Sequence, residues 1–341
     1  MEDKKNGRDI NAGWTRRAFL GVALAAGVCG PSGYWLLSQP HSRKKRATTY
    51  IEKVNSYSAD FSRVIRSGFQ ALGITGDEIR KKRILLKPNL VETYPNATHI
   101  TTHPCVVRGA VEAFLALGAE EVLVAEGPGH CRDSLLLLEE SRMVEVLGED
   151  HIHFVDLNYD ETYVASNAGG CSRLKTFVLP ETLRKVDWIV SIPKMKTHHW
   201  AGVTLSMKNM FGVMPGSFYG WPKNVLHWAG IHETVLDICA TLQPHLAIVD
   251  GIVGMEGDGP VMGEPRQVGV LVIGRNFPAV DATCAKIMGI NPYRINYLSR
   301  ADGFLGTIRE KNIQQRGESI ASVRSDFALM DNIPALRGIR L

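Results

Sequence analysis

Residues 191–209 hold the densest set of reactive side chains in the sequence: Ser191-Ile192-Pro193-Lys194-Met195-Lys196-Thr197-His198-His199-Trp200, running on to Thr204, Lys208 and Asn209. The apolar residues 188–192 lead into this segment and read as a buried strand. Lysines, a threonine and paired histidines delivered at one strand end gather donors and positive charge, which suits an anionic group such as phosphate or carboxylate. Histidines there could move protons near neutral pH or ligate a metal. Any one of these side chains alone is better explained by a solvated connection whose histidines cap backbone groups. The cluster as a whole points to a site.

Two further loops are expected to face it. Lys87-Pro88-Asn89 ends a strand and is followed by a stretch rich in Thr and His, residues 98–103. Residues 250–260 end another strand and set three carboxylates, Asp250, Glu256 and Asp258, among glycines. That composition lets backbone approach a ligand, and the carboxylates could hold a metal or orient a histidine. Asp250, at the strand end, is the stronger candidate; an exposed hairpin explains Glu256 and Asp258 as well. His130 follows a glycine turn, Gly127-Pro128-Gly129, and His227 and His232 are too far apart in helical phase to share one face. Walker, GxGxxG, nucleophile-elbow and HExxH patterns are absent, so the common nucleotide, hydrolase and zinc-protease readings lose their support.

The elements that must position these residues alternate. Strands are predicted over 48–54, 83–86, 121–125, 153–157, 188–192, 246–250 and 268–273. Helices are predicted over 59–72, 104–117, 133–147, 232–242 and 279–288. Strands separated by helices of this length imply parallel crossovers, hence a mostly parallel, doubly wound α/β sheet, as one large domain or two lobes with a cleft between them. Ligands in such sheets bind at the strand ends. The chain divides into 1–46, a signal or anchor with a basic linker; 47–310, the α/β body; and 311–341, a C-terminal extension.

The 341 residues suffice for a sizeable core, and 45% hydrophobic and 22% charged content suits a globular chain. The net charge of +4 is concentrated near the N-terminus, in Arg16, Arg17 and residues 43–46. No basic face with interleaved aromatics appears, which argues against nucleic-acid binding. None of the six cysteines forms a CxxC pair, so local zinc or iron–sulfur motifs are missing.

Thr15-Arg16-Arg17-Ala18-Phe19-Leu20 followed by a mildly apolar Ala/Gly stretch has the layout of a twin-arginine signal, and the basic residues 43–46 are better tolerated by that route than by the general secretory channel. The expected location is periplasmic, or anchored in the inner membrane facing the periplasm. Residues 18–37 are long enough to span a membrane if the signal is uncut, and cleavage stays open. Twin-arginine export usually carries proteins already folded, often with a cofactor inserted.

Leu86-Lys87-Pro88-Asn89-Leu90, Val124-Ala125-Glu126-Gly127, Pro193-Lys194-Met195-Lys196-Thr197-His198, Met207-Lys208-Asn209-Met210-Phe211-Gly212, residues 250–257 and Ala279-Val280-Asp281-Ala282, in this order, resemble the family called domain of unknown function 362. The resemblance implies no settled activity. Some relatives carry a ferredoxin-like module whose cysteines are not found here.

His198-His199-Trp200-Ala201-Gly202, then Lys208 and Pro215-Gly216, is similar to a stretch of the nickel-pincer lactate racemase family. That resemblance implies a proton-shuttling His198, a cofactor-tethering Lys208 and a metal-binding His227, with His130 as a second proton carrier. Ser206-Met207 stands where that family has glycines, the gap from Lys208 to His227 is longer, and its early Thr-Arg-Pro element is not evident. The expectation is therefore an exported metal- or cofactor-dependent protein that takes an anionic small molecule. His198 and His130 would serve as acid/base groups. Lys87, Asn89, Lys194, Lys196, Thr197, Lys208 and Asn209 would bind the ligand, and His227, Asp250 and Glu256 a divalent metal. The alternative is a non-catalytic periplasmic ligand-binding or maturation module.

Overall fold

Successive residues of the central strands are apolar because both faces of the sheet are covered. Ala247 and Val249 enter one hydrophobic cluster and Leu246 and Ile248 the other; Val270 and Val272 separate from Leu271 and Ile273 in the same way. The helices Phe61–Ala71 and Pro104–Ala116 cover one face, and Ile231–Leu242 and Phe277–Ile287 the other. Phe61, Ile65 and Phe69 form the buried stripe of the first helix, whose start is capped by the Asp60 carboxylate accepting from Arg63 N at 2.9 Å. Such a cap contributes about 1 kcal/mol.

The computed structural model describes residues 46–94, 97–149 and 151–341. The expected twin-arginine segment, the apolar stretch 18–37 and nearly all of the basic linker lie outside the described residues. Among the described residues, no helix is long and apolar enough to cross a membrane.

The main sheet runs in the order β12 (Ile313–Gly317), β1 (Ala47–Lys53), β11 (Glu264–Gly274), β10 (Leu246–Glu256), β7 (Trp188–Ile192), β2 (Arg83–Pro88), β3 (Glu121–Glu126) and β4 (Phe154–Asp156). β8 (Lys194–His198) pairs with β10 and with β9 (Gly202–Thr204), and β5 (Thr162–Ser166) forms a separate hairpin with β6 (Thr176–Pro180). Pairing is parallel except that β11 lies antiparallel to both β1 and β10, and β9 antiparallel to β8. The fold is the expected mostly parallel α/β sheet, and the described residues fall in one compact unit instead of two lobes.

Several expectations are corrected. The helix expected over 133–147 is two, Ser134–Glu140 and Met143–Glu149, because Arg142 between them has a left-handed backbone with φ 59°. The glycine loop expected after Asp250 is mostly strand: β10 continues to Glu256 by pairing with β11, with a register shift between Gly251 and Val253. Asp250 is therefore interior to a strand, not at its end. The residues expected to form an extension, 311–341, contribute β12, which pairs in parallel with β1.

Candidate functional site

A cavity of about 510 Å³ opens where β2, β3 and β8 end. Its floor is built from charge. Lys87, the penultimate residue of β2, sends its Nζ to Glu126 Oε2, at the end of β3, at 2.6 Å; the two side chains are 1% and 3% exposed. The same ammonium donates to Pro88 O at 2.8 Å and Asn209 Oδ1 at 3.1 Å. Glu126 also accepts from Leu90 N and Gly127 N. A Cβ at Gly212 would collide with Lys87 Nζ and the Glu126 carboxylate, so this close approach of backbone requires glycine.

Asn209 is fully committed: its Oδ1 accepts from Lys87 and Asn89, and its Nδ2 donates to Lys87 O and Ser191 Oγ. Lys196 lies just behind, donating to Asn89 Oδ1 at 2.8 Å, Ile100 O at 2.7 Å and Pro260 O at 3.0 Å. Burial, reinforced by Lys194, Lys208 and Lys87, holds its ammonium well below the usual lysine range. Lys223 is held by Gly127 O at 2.9 Å, Asn158 Oδ1 at 3.3 Å and Met214 O. Its left-handed backbone, φ 68°, costs about 1–3 kcal/mol, and these contacts over-determine it. Burial pushes Lys223 down to about 7, partly opposed by Glu126.

Lys208 differs from these. Its Nζ lies 4.2 Å from the centre of the Phe211 ring and has no hydrogen-bond or carboxylate partner among the described residues. It lines the cavity, and burial, then the Lys87 charge, lower it to about 7 against the opposing pull of Glu126. The short helix Ser206–Asn209 that carries it is pinned by Asp281, which accepts from Ser206 N at 2.8 Å, Ser206 Oγ and Met207 N at 3.1 Å. Near Lys208 in the chain, the Thr204 hydroxyl is buried on the cavity lining without a hydrogen-bond partner among the described residues. A buried polar atom left unpaired in a folded protein is a cost that a ligand would remove.

Two histidines on the lining have opposite tautomeric constraints. His198 Nδ1 accepts from Trp200 N at 3.1 Å and Ala201 N at 3.3 Å, so the ring proton resides on Nε2. Burial and the neighbouring Lys208 hold the ring neutral, well below the usual histidine range. His198 therefore presents its Nε2–H as a hydrogen-bond donor. His130 Nδ1 lies 3.3 Å from Glu92 Oε2, whose other oxygen is 3.0 Å from Arg132 Nε. A carboxylate on Nδ1 leaves His130 Nε2 as the basic atom.

The expected metal set is not brought together. Asp250 accepts from Lys194 at 2.6 Å, Tyr57 at 3.0 Å and His103 N at 3.0 Å, the Lys194–Asp250 pair being fully buried and outside the cavity lining. Glu256 accepts from Ala328 N at 2.8 Å. His227 does line the cavity, but its Nδ1 is 3.1 Å from Lys223 O, and its ring packs between Trp200 and Phe211. Burial and Lys208 push it down to about 4. The described residues contain no group of three His, Cys, Asp or Glu placed to hold an ion. The donor set thus does not fit a protein-held divalent metal at His227, Asp250 and Glu256.

Lys87, Asn89, His130, His198, Lys208, Asn209 and His227 converge on the cavity. Lys196 supports it from behind. Lys194 is consumed by Asp250, and the Thr197 hydroxyl donates to Gly257 O at 2.8 Å, so both serve the framework. Sequence reasoning gave no role to Glu92, Glu126, Thr204, Lys223 or Asp281. Glu126 and Asp281 did stand inside the quoted family stretches, which was their only signal.

Fold and lining together define an α/β protein with a lysine- and histidine-lined cavity at its strand ends. The chain belongs to the family described as Domain of unknown function (DUF362), whose model matches residues 84–286. The thylakoid-associated protein sll1697 of Synechocystis sp. (strain ATCC 27184 / PCC 6803 / Kazusa) is 26% identical over 248 residues, 68% of this chain and 71% of that protein. Among solved structures, the lactate racemase apoprotein from Thermoanaerobacterium thermosaccharolyticum aligns at 12% identity and TM-score 0.43, over 74% of this chain and 59% of that one. A protein from Thermotoga maritima aligns at 12% identity and TM-score 0.39, over 68% and 59%. The chain thus spans about three-fifths of each of these solved chains, and no residue role is taken from them.

Proposed function

We propose that the protein binds a small carboxylate- or phosphate-bearing molecule in this cavity and moves a proton on it through His130. The observation that carries the reading is the buried Thr204 hydroxyl, which has no hydrogen-bond partner among the described residues, on a lining that also presents Lys208, whose amine meets the Phe211 ring and no carbonyl or carboxylate there. His198 Nε2–H and Thr204 Oγ–H would donate to the anion. Lys87 and Lys223, held in place by their own partners, would supply the attracting field. Glu92 would orient His130 as the base and stabilise its charged form after proton transfer.

Calorimetry with a panel of small carboxylates and phosphate esters tests this. At least one should bind, and Thr204→Val and Lys208→Ala should each weaken it by tenfold or more, on the order of 1.4 kcal/mol. Binding unaltered by both replacements would refute the reading. A partner-binding role is the second reading, favoured by the exposed Trp200 (54%), Phe218 (59%) and Trp228 (72%). It requires that replacing Phe218 and Trp228 with glutamate abolish a complex while leaving anion binding intact. Export by the twin-arginine route is proposed from Arg16-Arg17 alone; Arg16→Lys with Arg17→Lys should retain the protein in the cytoplasm on fractionation.

A further inference from the structure

We infer that the ligand of this cavity is amphipathic: its anionic group sits on the buried floor, and an extended apolar body lies against Trp200 and Met262 at the mouth. The inference rests on the anion-binding reading for the head of the ligand, and on separate observations for its body.

The polarity of the lining is inverted. Charged and polar residues ordinarily face water while large apolar ones are withdrawn from it. Here Lys87, Asn89, Glu126, Thr204 and Asn209 are each at most 5% exposed, whereas Trp200 and Met262, on the same lining, are 54% and 72% exposed. Polar groups therefore form the bottom of the cavity, and large apolar side chains its opening. A small anion such as acetate would use the floor and leave the apolar surface in water. The cavity, at about 510 Å³, is of the size that encloses a larger ligand, about 300–1,000 Å³. Phe218 and Trp228 are exposed as well, but they stand off the lining and have no part in this surface.

Both parts of the mouth are held in place. The Trp200 ring is braced edge-on by His199, with centroids 4.8 Å apart at 76°, and by His227, 5.1 Å apart at 72°; His227 leans in turn on Phe211 at 5.0 Å. Trp200 N donates to His198 Nδ1 at 3.1 Å, so the turn that makes His198 a donor also sets the indole. Val261 and Met262 belong to residues 257–263, which join β10 to β11. Residues 196–199 fasten that loop at three points: Thr197 Oγ donates to Gly257 O at 2.8 Å, His199 N to Gly259 O at 2.9 Å and Lys196 Nζ to Pro260 O at 3.0 Å. A Cβ at Gly259 would lie 2.2 Å from Thr197 O, so the loop packs directly on this segment. Lys196 joins the two halves, donating to Asn89 on the floor and to Pro260 in the loop. Walls already ordered spare a ligand the entropy cost of ordering them. Met262, unbranched and polarizable, adapts to the shape of what lies against it.

Calorimetry on the purified full chain with two matched series tests this: acetate, butanoate, hexanoate and octanoate, and methyl, butyl and hexyl phosphate. A methylene fully withdrawn from water raises affinity about fourfold, so octanoate should exceed butanoate, or hexyl exceed methyl phosphate, by about tenfold or more. The series that shows the rise identifies the head as carboxylate or phosphate. Trp200→Ala and Met262→Ser, both at exposed positions, should each reduce that gain by about threefold or more. Thr204→Val should instead weaken every member of the series by a similar factor and keep the gain per methylene. Affinity flat with chain length, while acetate or methyl phosphate binds, would overturn the inference and leave the anion-binding reading standing. A gain that survives both Trp200→Ala and Met262→Ser would also overturn it, since the apolar body would then lie elsewhere. Octanamide bound as tightly as octanoate would remove the anion-binding reading and leave the apolar mouth standing. Failure of both series to bind would remove both.

Discussion

Glu126 Oε2 meets Lys87 Nζ at 2.6 Å with both side chains essentially withdrawn from solvent. This pair is the anchor of the cavity floor. Lys87 also donates directly to Asn209 Oδ1, and Leu90 and Gly127 are tied to the Glu126 carboxylate through their backbone N–H groups. Glu126 is the one carboxylate whose charge is felt by Lys87, Lys196, Lys208 and Lys223 alike.

Removing that carboxylate should cost more than removing the pair. Glu126→Gln leaves a buried ammonium uncompensated and should destabilise the fold by about 3–5 kcal/mol, read from urea unfolding. The double replacement Glu126→Gln with Lys87→Met should recover much of the loss. Equal stabilities for the single and double variants would contradict the assignment of the pair as charged.

The Lys194–Asp250 pair should behave as framework. Asp250 receives Lys194, Tyr57, the backbone N–H of His103 and that of Ile252, and none of these contacts opens onto the cavity. Asp250→Asn should lower stability by an amount similar to Glu126→Gln yet leave anion affinity unchanged in calorimetry. A loss of affinity at full folding would return Asp250 to the site.

Nitrogen–proton correlation spectra should separate the two histidines. His198 should show its proton on Nε2 and titrate well below the usual histidine range, since burial and Lys208 disfavour its charged form. His130 should show its proton on Nδ1, facing Glu92. A protonated Nδ1 on His198 would refute its role as donor.

Stability should fall on acidification before the carboxylates titrate. His103 and His227 are each lowered to about 4, chiefly by burial. Between their unfolded value near 6.5 and about 4 the unfolded chain binds more protons than the folded one. Unfolding free energy therefore rises with pH across that window, and the cost is fully incurred below about 4. Replacing His103 by Asn, which preserves a cap for the helix Pro104–Ala116, should flatten the slope in urea titrations at pH 4.5–6.5. An unchanged slope would mean that His103 protonates freely in the fold.

The fold was largely legible because its signals are local. The run Trp188-Ile189-Val190 and the stripe Phe61, Ile65, Phe69 carry their periodicity within a few residues, and the structure places them as a buried strand and a buried helix face. The extension of β10 past Asp250 was not legible. It depends on β11 pairing Gly254 with Arg266 and Glu256 with Glu264, which no local pattern announces. The break at Arg142 depends on one left-handed residue inside an otherwise helical pattern.

By itself, then, the sequence determined the alternation of strands and helices and the presence of lysines and histidines at the end of β8, since apolar spacing and residue type are properties of short segments. Only the tertiary structure decided what each polar atom is used for. Lys194 and Lys208 look alike in the chain, yet one is consumed by Asp250, 56 positions away, and the other lines the cavity with the Phe211 ring, not a carboxylate, against its amine. Asn209 is locked to Lys87 across 122 positions, and His198 is made a donor by two backbone N–H groups that the turn after β8 aims at its Nδ1. Hydrogen-bond partners and burial come from chain crossings, and they set which side chains remain available for chemistry.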